Sequence, residues 1–223
     1  MIIDFHTHTH HSYDCMMDPA RILRLAKERG LNAIVINDHN TIKGGMECAA
    51  KNSDSGLTVI VGAEIKTDIG DITGIFLKEE IRSCKYTDVI AEIKNQGGIT
   101  ILNHPFVGHR LDEMNFEGID LIEGYNGRLT VQQNDMAIGL ARKLSKPFIA
   151  GSDSHTYGEI ANCRTFYNNP PDWLNPLKSE YKHCPVFATV KSQLIKALKK
   201  KDTILFAQVV LSSPGKIIKR IAG

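Results

Sequence analysis

Short apolar runs alternate with amphipathic stretches almost from one end of the chain to the other. The run IIDF (2–5) gives way to DPARILRLAKERG (18–30), where Asp18 is placed to cap a helix and Pro19 fits its first turn. Ile22, Leu23 and Ala26 share one face of that helix, and Gly30 stops it. LNAIVIND (31–38) then reads as a second strand, apolar almost throughout, as parallel strands covered on both faces are. Further strands are predicted over TVIVGAEI (58–65), DITGIFL (71–77), ITILNHP (99–105), IDLIEGYN (119–126) and KPFIAGSDSH (146–155). Helices are predicted over TDVIAEIKNQGG (87–98), TVQQNDMAIGLARKLS (130–145) and 189–200, with TILF (203–206) as a last strand.

This rhythm predicts an α/β fold with a mainly parallel sheet of six or seven strands, which can close into a barrel or stay open. The polar residues choose between the two. His6 and His8, Asp38 and His39, Glu64, His104, Glu123 and Asn126, and Asp153 and His155 all stand at or just beyond the ends of predicted strands. A barrel gathers such positions around one mouth, whereas an open sheet spreads them along a line. The expectation is one domain over residues 1–223, a distorted (β/α)₇ barrel closed by Trp173 and the helix over 189–200.

Composition narrows the class. At 223 residues, 42% hydrophobic and 23% charged, the chain suffices for one sizeable core. Its five cysteines are scattered and form no CxxC, which argues against a disulfide framework or a cysteine zinc knuckle and for reduced thiols in a cytoplasm. No apolar run reaches the roughly 20 residues of a membrane span, and the start lacks the pattern of a signal peptide. A net charge of +2 does not favour long nucleic acid; the basic stretches at 194–202 and 215–223 read as a solvated helix face and a frayed tail.

The chemistry concentrates first in IIDFHTHTHHSYD (2–14). Affinity tags are uninterrupted, whereas Ile2, Ile3 and Phe5 mark a buried strand before His6. His6 and His8 are two residues apart, so both imidazoles face one side of an extended chain and can share an ion. Taken singly, NDHN (37–40), Glu64, NHP (103–105) and GSDSH (151–155) are ordinary turns and caps. Taken together, they put histidine or carboxylate at the same end of successive strands.

In order, DFHTHTHHSYD, NDHNTIKG, GAE, LNHPF and GSDSH resemble the sequential motifs of the polymerase and histidinol phosphatase (PHP) superfamily of metal-dependent phosphoesterases. IEGYNGR, with Asn134 and Ala137 after it, is similar to the segment before that family's final motif, and the resemblance spans roughly 2–167. It implies two or three divalent ions (manganese, zinc or iron, with magnesium possible) in a distorted barrel. By that resemblance one ion takes His6, His8, Glu64 and Asp153, and a second takes Asp14, His39 and His155. A third shares Glu64 and takes His104 and a residue on the following strand. There the family often has histidine, whereas GDITG places Asp71. Asp71 is either a carboxylate ligand, which would shift the site towards harder ions, or a plain strand-entry residue.

The resemblance further implies hydrolysis of a small phosphomonoester or nucleotide by metal-activated water, with Asp153, His104 and His155 as the catalytic residues. Arg110 and Arg128, and Arg164 beside them, are candidates to hold the phosphate, as is His11, whereas His10 reads as a surface residue. Residues 105–150 leave no room for the inserted domain of longer, nucleotide-specific relatives, so the expected partner is a small phosphorylated substrate. Hydrolysis of an amide or other carbonyl substrate, and a catalytically silent metal-binding module, remain open alternatives.

Overall fold

The computed structural model describes the backbone of residues 1–221 and the side chains of residues 1–212. In chain order it contains β1 (Ile2–Asp4), α1 (Pro19–Glu28), β2 (Ala33–Ile36), α2 (Lys43–Lys51), β3 (Thr58–Lys66), β4 (Asp71–Ile75) and α3 (Tyr86–Asn95). These are followed by β5 (Ile99–Leu102), β6 (Leu121–Asn126), α4 (Val131–Lys143), β7 (Phe148–Gly151), β8 (Cys163–Phe166), β9 (Lys178–Tyr181), α5 (Val186–Lys200) and α6 (Thr203–Ile221). The strands form one sheet in the order β7-β6-β5-β4-β3-β2-β1-β8-β9.

Strands β1 to β3 run parallel, as do β5 to β7, while β4 is antiparallel to both neighbours. The register pairs Lys66 at the end of β3 with Asp71 at the start of β4, so the reversed strand brings its first residue to the mouth where the others end. The segments beyond β1 and β7 then meet: Ser154 donates its N–H to the His6 carbonyl at 3.1 Å, and His8 donates to the Ser154 carbonyl at 3.0 Å. Strands β1 to β7 thus form a nearly closed barrel, and its seam lies among the histidines. The antiparallel hairpin β8–β9 attaches to the outer edge of β1.

The barrel interior is filled by Ile3, Phe5, Val35, Ile60, Ile75, Ile101, Leu121 and Ile149, all essentially inaccessible. Each such side chain contributes about 1.5–3 kcal/mol of transfer free energy. Trp173 packs against the same cluster, its ring 4.9 Å from that of Phe76 at the far end of β4, and so covers the end of the barrel opposite the mouth. Helix α1 begins as its sequence dictates, with the Asp18 carboxylate accepting the Arg21 N–H at 3.1 Å.

Three features differ from the sequence reading. TILF (203–206) is the first turn of α6, because Lys201 ends α5 in a left-handed conformation and the Asp202 carboxylate accepts the Leu205 N–H at 2.8 Å, capping a new helix. A short apolar run of this kind carries no periodicity to separate strand from helix. Helix α2 carries little helical signal in the sequence, because Gly44 and Gly45 in its first turn are poor helix formers. They are there for proximity: a Cβ on Gly44 would lie 1.8 Å from Asp38 Oδ2. The third difference is the β8–β9 hairpin, whose four-residue strands are too short to show a periodic pattern. The backbone of the tail continues α6 to Ile221, while its basic side chains at 215–223 lie outside the described residues.

Candidate metal centre

All nine positions expected to hold metal converge at the barrel mouth. His6 and His8 follow β1, Asp14 lies on the loop beyond them, His39 follows β2, and Glu64 points inward from β3. Asp71 begins β4, His104 follows β5, and Asp153 and His155 follow β7. Glu64, only 2% exposed, sits at the middle. Its Oε2 lies 3.5 Å from the Nε2 atoms of both His6 and His8 and 3.0 Å from His39 Nδ1, and its Oε1 lies 2.9 Å from His104 Nε2. Asp153 Oδ1 lies 3.8, 3.6 and 3.3 Å from His6, His8 and His155. Asp14 faces His39 and His155 at 3.3 and 3.2 Å.

Three overlapping donor sets result: His6, His8 and Glu64; His8, His39 and His155; and Glu64, Asp71 and His104, with donor atoms within 4.8 Å of one another in each set. Asp71 therefore meets Glu64 and His104 rather than facing solvent as a plain strand-entry residue would. The backbone is held there by His109, whose Nδ1 donates to the Val107 carbonyl at 2.8 Å, leaving Nε2 to accept the Asp71 N–H at 3.0 Å.

The ring orientations fit cations. His6 Nδ1 is bonded to Glu123 Oε1 at 2.8 Å. His8 Nδ1 donates to Ser12 Oγ at 3.0 Å, because the Ser12 hydroxyl itself donates to Asp38 Oδ1 at 2.6 Å. Both outer nitrogens are thereby occupied as donors, and the two Nε2 lone pairs, 3.1 Å apart, face the same space. No proton arrangement of two neutral rings satisfies such a pair as well as a shared cation does. Among the described residues, buried His104 Nδ1 has no hydrogen-bond partner.

The electrostatics point the same way. Burial alone would lower every imidazole, yet Glu123, Asp153 and Glu64 hold His6 well above its ordinary value. Against the same penalty Glu64 and Asp14 hold His39 at about 10, and Glu64 holds His104 at about 9. Burial, His155 and His39 push His8 down to about 4. Burial would raise Glu64 and Asp153, but the surrounding histidines hold both well below the usual carboxylate range. A buried cage this rich in carboxylate demands compensating positive charge.

Two residues of the cluster have strained backbones. His104 and Asp153 both have positive φ, 28° and 53°, uncommon for residues with a Cβ and tolerated where surrounding contacts over-determine the backbone. Glu123 Oε2 accepts the His104 N–H at 2.9 Å, and the Asp153 turn is carried by the seam between β1 and β7.

The expected substrate contacts are each engaged by protein groups, and Arg128 lies close enough to Asp153 and His155 to act on both electrostatically. Arg110 is exposed and spans to Glu113 and to the Asp68 carbonyl. Arg128 is buried, with Nε and Nη2 on the two oxygens of Glu159 at 2.9 and 3.1 Å and Nη1 on Ser192 at 2.9 Å. Arg164 donates to the Ala161 carbonyl, and His11 turns away to Glu47 at 2.8 Å. At the rim stand instead Lys196 and Lys200 of α5, 5.2 and 4.2 Å from the Tyr13 ring, which stacks on His39 at 4.4 Å. Lys199 donates to the carbonyls of His10, Ser12 and Cys15 at 2.7 to 2.8 Å, clamping the loop that carries Asp14. The basic stretch at 194–202 is thus more than a solvated face. Nothing in the local pattern of these lysines, or of Ser12 and Glu159, marks them in the sequence, whereas the supporting residues Asp38, Glu123 and Asn126 carry a signal, their place at strand ends.

The fold and site define a barrel whose mouth gathers clusters of histidine and carboxylate compatible with metal binding. The PHP domain model matches residues 4–169, and the chain belongs to that family. Over 143 residues it is 34% identical to an uncharacterized protein of Methanocaldococcus jannaschii, covering 56% of this chain and 84% of that protein. Among solved structures it is similar to a two-domain Bacteroides vulgatus protein containing a predicted PHP-like metal-dependent phosphoesterase, with a TM-score of 0.59 and 24% identity. That match covers 70% of this chain, which spans only about half (52%) of the Bacteroides chain. An amidohydrolase from Chromobacterium violaceum has a TM-score of 0.60 at 15% identity, over 85% of this chain and 96% of that one. These last two likenesses concern the fold. Among the described residues, no helix is long and apolar enough to cross a membrane.

Proposed function

We propose that the chain hydrolyses a small phosphomonoester or nucleotide at two or three divalent ions held by His6, His8, Asp14, His39, Glu64, Asp71, His104, Asp153 and His155. The observation that carries this reading is Glu64, a buried carboxylate within 3.5 Å of four imidazoles, whose two oxygens would help to hold the ions. When bound, such ions polarise phosphoryl oxygens and make a shared water acidic enough to lose its proton near neutral pH. The mixed nitrogen and oxygen donor set suits manganese, zinc or iron, and the carboxylate at Asp71 draws the third position towards the harder ions.

The chain's own groups supply the rest. Asp153, its Oδ2 accepting from Asn126 at 3.3 Å, keeps Oδ1 turned to His6, His8 and His155, where it orients the attacking water. Either His104 or His155, through a ring nitrogen that holds no ion, would pass a proton to the leaving oxygen. Lys196 and Lys200 favour an anionic substrate over a neutral carbonyl compound, since they place positive charge one aromatic ring away from His39. Residues 105–150 form loops, a 3-10 turn at 111–113, β6, α4 and the start of β7, with no inserted domain to cover the mouth, which suits a small substrate.

The test is phosphate release from a panel of phosphomonoesters and nucleotides by metal-stripped protein after addition of manganese, zinc or magnesium, with Asp153→Asn and Glu64→Gln as controls and amides alongside. Metal-dependent release that both variants lose supports the proposal. Cleavage of the amides alone, or no turnover by protein with confirmed bound metal, overturns it.

A further inference from the structure

The loop after β1 turns a second pair of histidines outward, away from the barrel mouth. Adjacent residues of an extended strand point to opposite faces, but here the chain leaves β1 through a turn closed by the Ser12 N–H on the Thr9 carbonyl at 3.1 Å. The turn folds His10 and His11 to one side, their rings 4.3 Å apart. Both Nε2 atoms approach one oxygen of Glu47 on α2, His11 at 2.8 Å and His10 at 3.6 Å from Oε2. Lys51 takes the other oxygen at 3.6 Å. The three donor atoms lie within 4.8 Å of one another, and His10 and Glu47 are open enough to admit an ion with its water.

The backbone beneath is fixed before any ion arrives. His10 donates its N–H to the Met17 carbonyl at 2.9 Å and receives Lys199 on its own carbonyl, and His11 donates its N–H to Thr9 Oγ1 at 3.1 Å. Only side-chain rotamers remain to be ordered on binding, which keeps the entropic cost small. The nearby Lys51 and Lys199 ammonium groups oppose a second positive charge. The site therefore needs an ion that binds imidazole strongly, not one attracted by charge alone.

We propose that His10, His11 and Glu47 form a separate site for one borderline transition-metal ion of the zinc, nickel or copper type, independent of the centre in the barrel. Two imidazoles and a single carboxylate suit such ions and disfavour magnesium and manganese, in contrast to the carboxylate-rich mouth. The ion would tie the loop carrying Ser12 and Asp14 to α2, adding a cross-link between β1 and the helix that covers β2 and β3.

The test uses the full-length, metal-stripped chain with zinc ion alone as the probe, counting bound equivalents by titration and elemental analysis. Wild-type protein is expected to bind one equivalent more than His10→Ala or Glu47→Gln. The weakening at that equivalent should be no less than the roughly 10–100-fold that even an outer-sphere partner costs a metal site. The unfolding midpoints of the metal-free variants should match wild type, since His10 and Glu47 are surface residues. Glu64→Gln, which damages the central cluster, should retain the additional equivalent, so a failure of the phosphoesterase reading leaves this result readable. Equal stoichiometry and affinity in wild type, His10→Ala and Glu47→Gln, or loss of the additional equivalent in Glu64→Gln, would overturn the proposal.

Discussion

Arg128→Met separates two roles that a sequence cannot tell apart. The Arg128 side chain is 9% exposed and that of Glu159 1%, and the pair meets through two parallel hydrogen bonds. Burial would raise the Glu159 carboxyl, but Arg128 holds it below its ordinary value. Glu159 also accepts the N–H groups of His155 and Thr156 at 3.0 and 2.7 Å, as well as the Cys184 thiol, so the carboxylate is the hub of the turn that positions His155. Removing the arginine leaves that carboxylate buried and uncompensated, a change that costs about 3–5 kcal/mol. At about 2–4 °C per kcal/mol for a chain of this size, the unfolding midpoint should fall by about 6–20 °C. The assay is thermal and urea unfolding of metal-free protein, with ester hydrolysis measured on the same samples. Arg128→Met combined with Glu159→Gln should recover part of the loss, because no buried charge is left behind. A midpoint within about 2 °C of wild type, together with a raised KM, would refute the reasoning and return Arg128 to the substrate.

Lys199→Met should cost about 1.5–3 kcal/mol, since it deletes charged hydrogen bonds to three carbonyls of one loop; unchanged amide exchange at His10 and Ser12 would speak against a clamp. Gly44→Ala must push Asp38 off Thr9 and should destabilise by about 1–3 kcal/mol, whereas Gly139→Ala, with open space at its Cβ on α4, should stabilise by up to about 1 kcal/mol. The reverse order in urea midpoints would show that the helix-to-loop packing is misread. Asp71→His should raise the zinc-to-manganese ratio of bound metal, and Asp71→Ala should remove one equivalent at most. Metal content identical to wild type in both variants would remove Asp71 from the ligand set.

The sequence by itself determined the alternation of strands and helices and the clustering of histidine and carboxylate at strand ends, because both are local patterns with fixed periods. His6 and His8 face one way simply because they are two apart on an extended chain. What the sequence left open was decided by long-range pairing. Asp71 reaches Glu64 and His104 because β4 runs backwards, and strand direction is a property of the sheet rather than of DITG. Arg128 is held by Glu159, a partner that only folding brings beside it. Lys199 looked like solvated charge until α5 was laid across the loop at 10–15. A side chain's type states which partner it can satisfy. Only the tertiary structure decides which partner comes within reach, because desolvation makes the nearest complementary group the one it must take.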